Sequence, residues 1–443
     1  MVDVLVVGAG PTGLFMAAEL VRHGLSVRII DQAISRSVYS KAIAIQPRTL
    51  EIFHHLGIVD RFLAQGIRVR AFNSLSRLSF DELDTEYPFV LSLEQSKTEA
   101  ILEEYLGSLG VRVERGVQLK TLKQFPAKWI VGCDGSHSAV RKLLGLSFEG
   151  RAFPSTFSLA DVTLKWNRPH NEAYGFFTPK GLVGVLPLPA PDTYRLVFQM
   201  EGMTLGEIQE LLPNAEISHP TWQATFQIHT RMVSAYRQGN VFLAGDAAHI
   251  HSPAGGQGMN SGIQDAFNLA WKLKSPRLLD TYNLERHSFG KGLLCYTELA
   301  TRLMALRNPF VRVVRNAVIR SLLRCPWFRR KLTRGIAQLS IVYPKSPIAV
   351  ELGHFGGGPV AGSRAPTLGQ KTTGHQILLF TDAPSEKFPV EPTLLIDRSK
   401  NPELCATYGV KREAIYIIRP DLVVGLRSSP IDWKKVADYL ELV

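Results

Sequence analysis

Asp246 is the side chain whose neighbours most constrain a chemistry. It follows the apolar run Val241-Phe242-Leu243 and the pair Ala244-Gly245, so it stands at the end of a strand. A carboxylate there can accept hydrogen bonds from the hydroxyls of a sugar or polyol. Shortly after comes Pro253-Ala254-Gly255-Gly256-Gln257-Gly258, with three glycines in four positions. So few Cβ atoms let backbone N–H groups approach a flat or anionic ligand closely. Met259–Leu273 then reads as a helix, with Ile263, Ala266, Phe267, Ala270 and Trp271 at helical spacing. The start of such a helix favours negative charge.

The N-terminus repeats this grammar. Val4–Val7 is a buried-strand run, and Gly8-Ala9-Gly10-Pro11-Thr12-Gly13 satisfies G-x-G-x-x-G. Leu14–His23 reads as a helix closed by Gly24, and Ser26–Ile30 as a second strand ending at Asp31. A βαβ unit of about 30 residues with an acid at its second strand tip binds a dinucleotide. The motif by itself does not separate FAD from NAD.

Other residues carry weaker signals. Lys41 or Arg48 could meet a pyrophosphate or be a solvated charge. Gln95 opens an amphipathic helix running to Leu106 and is a possible hydrogen-bonder at a site. Trp129–Val131 reads as a strand leading into Gly132-Cys133-Asp134-Gly135, with a helix over Ser136–Leu144. His54-His55 reads as a helix-face pair, and no further ligands follow at a spacing that holds metal, so no metal site is expected. His249 and His251 invite an acid/base or metal reading, and a structural hydrogen bond is the expectation for His249.

The elements that must position these residues divide the chain. At 443 residues, 45% hydrophobic and 20% charged, the composition is that of a soluble protein of two or three domains. No apolar run approaches the roughly 20 residues that span a bilayer. The four cysteines form no C-x-x-C pair, and the start runs directly into a strand, so a reduced, cytoplasmic protein is expected. Residues 156–229 break into short alternating runs such as Phe157–Leu164, Gly184–Leu188 and Tyr194–Met200, the pattern of an antiparallel sheet. Residues 1–155 and 230–290 then form a discontinuous dinucleotide-binding domain, 291–352 a basic helical segment, and 353–443 a small α/β domain after a Gly/Pro-rich linker.

The formal charge is +12, and Arg302–Arg334 alone holds ten basic residues, with no Asp or Glu between Glu298 and Glu351. Apolar residues interleave with them. A basic amphipathic helix can lie on an anionic membrane surface. Packing on the protein, with the charges solvated, is the favoured arrangement. No recognised fold or stacking motif accompanies the charge, so no nucleic-acid partner is expected.

GAGPTG at Gly8–Gly13, GCDG at Gly132–Gly135 and GDAAHIHSPAGGQGMN at Gly245–Asn260 occur in one order. Together they closely resemble the single-component (class A) flavoprotein aromatic hydroxylases, the family of para-hydroxybenzoate hydroxylase and phenol 2-monooxygenase. Arg419–Ser428, RPDLVVGLRS, looks like the thioredoxin-like C-terminal domain of the phenol-hydroxylase branch. The resemblance implies an α/β fold: a Rossmann-like FAD-binding domain interwoven with an antiparallel β-sheet substrate domain, plus that C-terminal domain. It implies non-covalent FAD, with Gly8, Gly10, Pro11, Thr12 and Gly13 at the pyrophosphate and Asp31, with Gln32 beside it, at the adenosine ribose. Lys41 and Gln95 would lie by the pyrophosphate or ribityl chain. Asp134 would serve both FAD and a passing nicotinamide, and Gly245 and Asp246 the flavin hydroxyls. Pro253, Gly256, Gly258, Met259 and Asn260 would line the isoalloxazine.

The implied reaction uses NADPH or NADH to reduce FAD. O₂ adds to the flavin as a C4a-hydroperoxide, and its distal oxygen goes to a small electron-rich aromatic substrate, phenolic or polyketide-like. No catalytic acid or base is assigned, and a monomer or homodimer is expected. A flavin-dependent reductase of a lipophilic substrate, or a non-catalytic flavin-binding scaffold, is the alternative. The sequence departs from the family where Lys41 replaces a frequent Arg, where Gln32 follows Asp31, and in the short span Gly116–Lys128. A small β-meander is expected to be missing there.

Overall fold

The strand Val2–Val7 is apolar on both faces, and Val4, Leu5, Val6 and Val7 are all buried. Such a strand needs cover on both sides, which a parallel sheet with flanking helices provides. The computed structural model describes residues 1–37, 42–178, 181–199, 204–212, 214–218, 220–252, 255–304, 306, 308–366, 372–382 and 387–443. Among these, Val2–Val7 lies inside a sheet of spatial order Arg237–Gln238, Val241–Leu243, Ala127–Gly132, Val2–Val7, Val27–Asp31, Val113–Arg115. Neighbours run parallel except for the hairpin at its edge. The carboxyl ends of four strands therefore emerge along one edge. They bring Gly8–Gly13, Asp31, Cys133-Asp134 and Gly245-Asp246 together, as open α/β sheets do for their ligands.

Two helices cover this edge. Pro11–Arg22 begins with Pro11, whose missing N–H costs nothing in the first turn. Gly258–Ala270 crosses it closely. A Cβ on Gly262 would collide with the Thr12 hydroxyl, and a Cβ on Gly13 with the Gly8 carbonyl. Between Val113–Arg115 and Ala127–Gly132 the chain forms a loop that contains no strand, so this span holds no β-meander.

The antiparallel sheet is built on the long strand Glu149–Trp166, which pairs with Thr193–Gln199 and Trp222–Met232. Gly181–Pro187 and Glu172–Thr178 extend it as a meander. It also takes in Ala71–Asn73, paired parallel to Glu172–Tyr174, and Arg77–Ser79. Those residues fall inside the 1–155 segment of the sequence reading. The long strands likewise overrun the expected 156–229 limits at both ends, so the two bodies are interwoven through shared strands. A core of Val162, Leu164, Val183, Val185, Tyr194 and Leu196 fills one face of the sheet.

The C-terminal region has a sheet of order Val350–Gly353, Val424–Ser429, Ala414–Ile418, Gln376–Thr381, Leu394–Asp397, with helices Pro402–Tyr408 and Trp433–Leu442. It is held to the rest by buried charge. Arg419 donates from Nη1 to Glu285 Oε1 at 2.6 Å and from Nη2 to Oε2 at 2.9 Å. Lys272 Nζ reaches Glu285 Oε2 at 2.6 Å, and Asn268 Nδ2 donates to Asp421 Oδ2 at 2.9 Å. Glu285 lies in a π-helical turn, Asn283–His287.

The basic segment forms helices Pro309–Arg324 and Pro326–Ile336. The expected packing of its apolar positions holds for Leu323 and in part for Ile319 and Phe328, but not for most of the first helix. Of Pro309–Arg324, only Arg315 and Leu323 are buried, while Phe310, Val313, Val314, Val318 and Leu322 face outward. The inner face of the helix is Arg315 with Ile319 and Leu323, and its wider apolar stripe lies on the other side. Among the described residues, no helix is long and apolar enough to cross a membrane.

Candidate functional site

The strand edge opens into a cavity of about 1770 Å³ whose walls come from both sheets. Its first wall is the glycine turn. Gly8 holds a left-handed φ of +100°, and a Cβ there would stand 2.5 Å from the Cys133 carbonyl oxygen. Gly10 is extended, with φ −77°, and a Cβ on it would meet nothing within 4 Å. Pro11 and Thr12 also line the cavity, beside the N–H groups that a helix start leaves without internal acceptors. Gly13 is behind the wall, packed on the Gly8 carbonyl.

Asp31 and Gln32 lie on the wall at the tip of the second strand. Asp31 Oδ2 accepts from the Ala9 N–H at 2.6 Å and Oδ1 from the Ala33 N–H at 2.8 Å, which fixes its carboxylate at the turn. Gln95 is also on the wall, its Nε2 donating to Glu99 Oε1 at 2.9 Å. Asp134 Oδ2 caps the helix Ala139–Leu143, accepting from Ala139 N at 2.7 Å and Val140 N at 3.1 Å. Its Oδ1 is buried with no partner, and burial raises the carboxyl pKa. A buried acceptor left open at a cavity wall fits a ligand hydroxyl or amide.

Asp246, Gly256, Gly258 and Met259 line the far side. Gly256 holds a left-handed φ of +64°, and a Cβ there would also crowd Ala44. Gly245 is behind Thr12, its N–H donated to Asp265 Oδ2 at 3.0 Å. Asn260 also faces away. It accepts from Gln46 N at 2.8 Å and donates to Ala44 O at 2.9 Å and Gly256 O at 2.8 Å, so it fixes the loop that the cavity touches. Lys41 and Pro253 lie outside the described residues. Arg48 is not at the cavity; it is buried against Glu51 at 3.1 Å and the Asp421 carbonyl at 2.9 Å.

Beneath the Gly-rich loop, Asp265 is fully buried between His249 Nε2 at 2.9 Å and Arg286 Nε at 2.7 Å. Arg286 and His249 hold its carboxyl below the usual range against burial. His249 is thus a structural hydrogen-bonder. His251 lines the cavity. Its Nδ1 donates to the Ser252 carbonyl at 2.8 Å and its Nε2 is buried without a partner. Burial, aided by His249, pushes its pKa down to about 4, so the ring is neutral. Among the described residues no cluster of metal-ligating side chains forms.

The sequence reading expects a substrate sheet here but names as site residues none of those with which the antiparallel sheet lines the cavity. Phe157, Leu159, Leu186, Val197 and Trp222 face the cavity, joined by Phe72 and Phe80 from the N-terminal segment. Arg195 is among them, paired with Asp161 at 2.7 Å through both Nε and Nη2 and lying 4.6 Å from the Trp222 ring centre. The available signal was alternation: Phe157 and Leu159, or Arg195 and Val197, share a strand face.

The donor set suits FAD. The open space at Gly10 and the helix start suit a pyrophosphate, Asp31 and Asp246 suit hydroxyls, and the apolar sheet wall suits a ring. The comparisons agree. A family described as an FAD binding domain matches residues 1–297. The 6-methylpretetramide 4-monooxygenase of Streptomyces rimosus is 38% identical over 84% of this chain and 75% of its own length. A rifampicin monooxygenase of Streptomyces venezuelae is 34% identical over 77% of this chain and 80% of its own. The structure of an anhydrotetracycline hydroxylase from Streptomyces rimosus superposes with a TM-score of 0.77 and 27% identity, covering 100% of this chain and 98% of that one. The chain belongs to the single-component FAD-dependent aromatic hydroxylases. It is an FAD-dependent aromatic monooxygenase.

Proposed function

We propose that the protein hydroxylates a polycyclic, polyketide-like aromatic compound with O₂, using NADH or NADPH as the electron donor. The continuous cavity carries this reading. At about 1770 Å³ it exceeds the roughly 300–1,000 Å³ of a typical small-molecule site, leaving room for a fused-ring substrate beside a flavin. The names of the relatives with large aromatic substrates point the same way.

Bound FAD would supply the electron transfer and the oxygen chemistry. The chain's own residues bind and exclude water. The turn at Gly8, Gly10, Pro11 and Thr12 would donate N–H groups to the pyrophosphate, and Asp31 and Asp246 would accept from ribose and ribityl hydroxyls. Gln95 and the open Oδ1 of Asp134 would take further polar edges of the cofactor or the passing nicotinamide. Gly256, Gly258 and Met259 would flank the ring, while Phe157, Leu159 and Trp222 would keep water from the reacting carbon. Residues 1–155 with 230–290 would act as the cofactor domain and 156–229 as the substrate sheet. In the C-terminal sheet, Gln376–Thr381 and Leu394–Asp397 are parallel and the next two strands antiparallel, which supports a thioredoxin-like reading. Four unpaired cysteines support a reducing, cytoplasmic location.

Denatured protein should release FAD into the supernatant. The holoenzyme should consume NAD(P)H faster with an aromatic polyketide and transfer isotopically labelled oxygen from O₂ to it. Substrate reduction without oxygen incorporation would favour the reductase alternative, and bound FAD with no nicotinamide oxidation at all would favour the scaffold.

A further inference from the structure

The helix Pro309–Arg324 turns its apolar side chains to the outside. Phe310 is 76% exposed, Val313 68% and Val318 51%, and Trp327 at the start of the next helix is 66% exposed. With about 3.6 residues per turn, Phe310, Val313, Val314, Ala317 and Val318 form one stripe, with Arg320 along its edge and Arg324 past its C-terminal end. The opposite face is anchored: Arg315 Nη1 donates to the Leu303 carbonyl at 2.8 Å, and its guanidinium lies 4.3 Å from the Phe177 ring centre. The segment's described ion pairs involve Arg302, Arg329 and Arg334. Among the described residues no carboxylate pairs with Arg320, Arg324, Arg330 or Lys331.

A continuous apolar stripe with a basic rim needs a partner that takes both. A second copy would not serve, because a two-fold contact through this stripe would bring two basic rims together, and Pro309–Arg324 carries no carboxylate to offset them. A convex helix with an apolar crest and basic flanks matches an anionic bilayer interface. We propose that this face docks on a membrane surface containing anionic lipid. Phe310, Val313 and Val318 enter the headgroup boundary, Trp327 sits at its level, and Arg320, Arg324 and Lys331 meet the headgroups. The helix that precedes this face reaches the cavity. Tyr296 and Ala300 line the cavity from the helix Ser288–Met304, while Leu299 and Leu303 of that helix are exposed.

The test uses the whole protein with vesicles of phosphatidylcholine alone or mixed with phosphatidylglycerol, at low and physiological salt. The expected result is co-sedimentation with the mixed vesicles, stronger by more than about tenfold than with neutral ones and weakened but retained at physiological salt. A blue shift in tryptophan emission should accompany binding and vanish in Trp327→Phe. Val313→Ser/Val318→Ser keeps every charge and should lower binding at least about tenfold. Binding that the double variant leaves unchanged, or that physiological salt abolishes, would overturn the proposal. So would a failure to sediment with anionic vesicles. Displacement from vesicles by polyglutamate with no effect of the double variant would assign the face to an acidic protein. A concentration-dependent dimer that the double variant disrupts would assign it to a second copy.

Discussion

Gly10 and Gly13 share one short turn, yet their replacement by alanine should have opposite consequences. Gly10 has φ −77°, an ordinary backbone for any residue, and its added Cβ meets nothing within 4 Å. Without cofactor, Gly10→Ala should leave the thermal midpoint unchanged or raise it, because alanine reduces the freedom of the unfolded chain by about 0.4–1 kcal/mol. With cofactor, the methyl group occupies the space through which a pyrophosphate reaches the turn. Loss of one charge-assisted hydrogen bond costs about 1.5–3 kcal/mol, or roughly a 10- to 150-fold rise in Kd for FAD. Gly13 inverts this pattern. Its added Cβ would overlap the Gly8 carbonyl oxygen and stand 3.3 Å from the Cys133 Cβ, both at the ends of the two central strands. Neither can give way, so overpacking of about 1–3 kcal/mol or more falls on the apoprotein. At about 2–4 °C per kcal/mol, the midpoint should drop by roughly 2–12 °C. Calorimetry of the two apoproteins and flavin-fluorescence titration separate the effects. Wild-type FAD affinity in Gly10→Ala, or a wild-type midpoint in Gly13→Ala, would refute the assignment of the two glycines to ligand and packing.

Further outcomes follow from single sites. Asp246→Ala removes a hydroxyl acceptor and should weaken FAD binding about tenfold or more, read by the same titration in a variant of unchanged midpoint. Glu285→Ala leaves Arg419 and Lys272 buried without their shared carboxylate, and should destabilise the protein by about 3–5 kcal/mol in calorimetry. Burial holds His23 down to about 3 and His251 and His375 to about 4. The unfolded chain therefore takes up protons below pH of about 6.5 that the fold refuses. Stability is complete above that pH and falls toward pH 4, by about 1.4 kcal/mol per pH unit for each histidine. His375→Leu should flatten that acid limb by one histidine's share, and an unchanged slope in pH-dependent unfolding would count against it.

What was legible in the sequence was local. The first βαβ unit could be read because strand, turn and helix are decided within a few residues of one another, and the helix Pro11–Arg22 starts within three residues of the expected position. The ties between regions could not. Glu285 and Arg419 are 134 residues apart, and nothing in the neighbourhood of either announces the other. The sequence leaves Arg48 open between a pyrophosphate contact and a solvated charge, and it is neither. Its buried partners, Glu51 and the Asp421 carbonyl, come from its own helix and from the C-terminal region. The strand Ala71–Asn73 joined the second sheet by parallel pairing, which leaves no hairpin signal.

The same distinction governs the site. Met259 and Asn260 are neighbours in sequence, and a motif treats them as one unit. On a helix, successive side chains point about 100° apart, so Met259 can face the cavity while Asn260 turns inward to three backbone groups of the loops around it. Asn260 thereby acts on the ligand space at one remove, by fixing where Gly256 and Ala44 stand. The basic segment fails in the opposite direction. Alternating apolar and basic residues predict an amphipathic helix whether its apolar stripe meets protein or lipid, because both offer the stripe the same escape from water. Only the burial of Arg315 and the exposure of Phe310, Val313 and Val318 decide which face turned inward. A charged residue took the inner side because the Leu303 carbonyl, the Asn316 amide and the Phe177 ring were placed to receive its guanidinium. That choice left the apolar stripe to whatever lies outside.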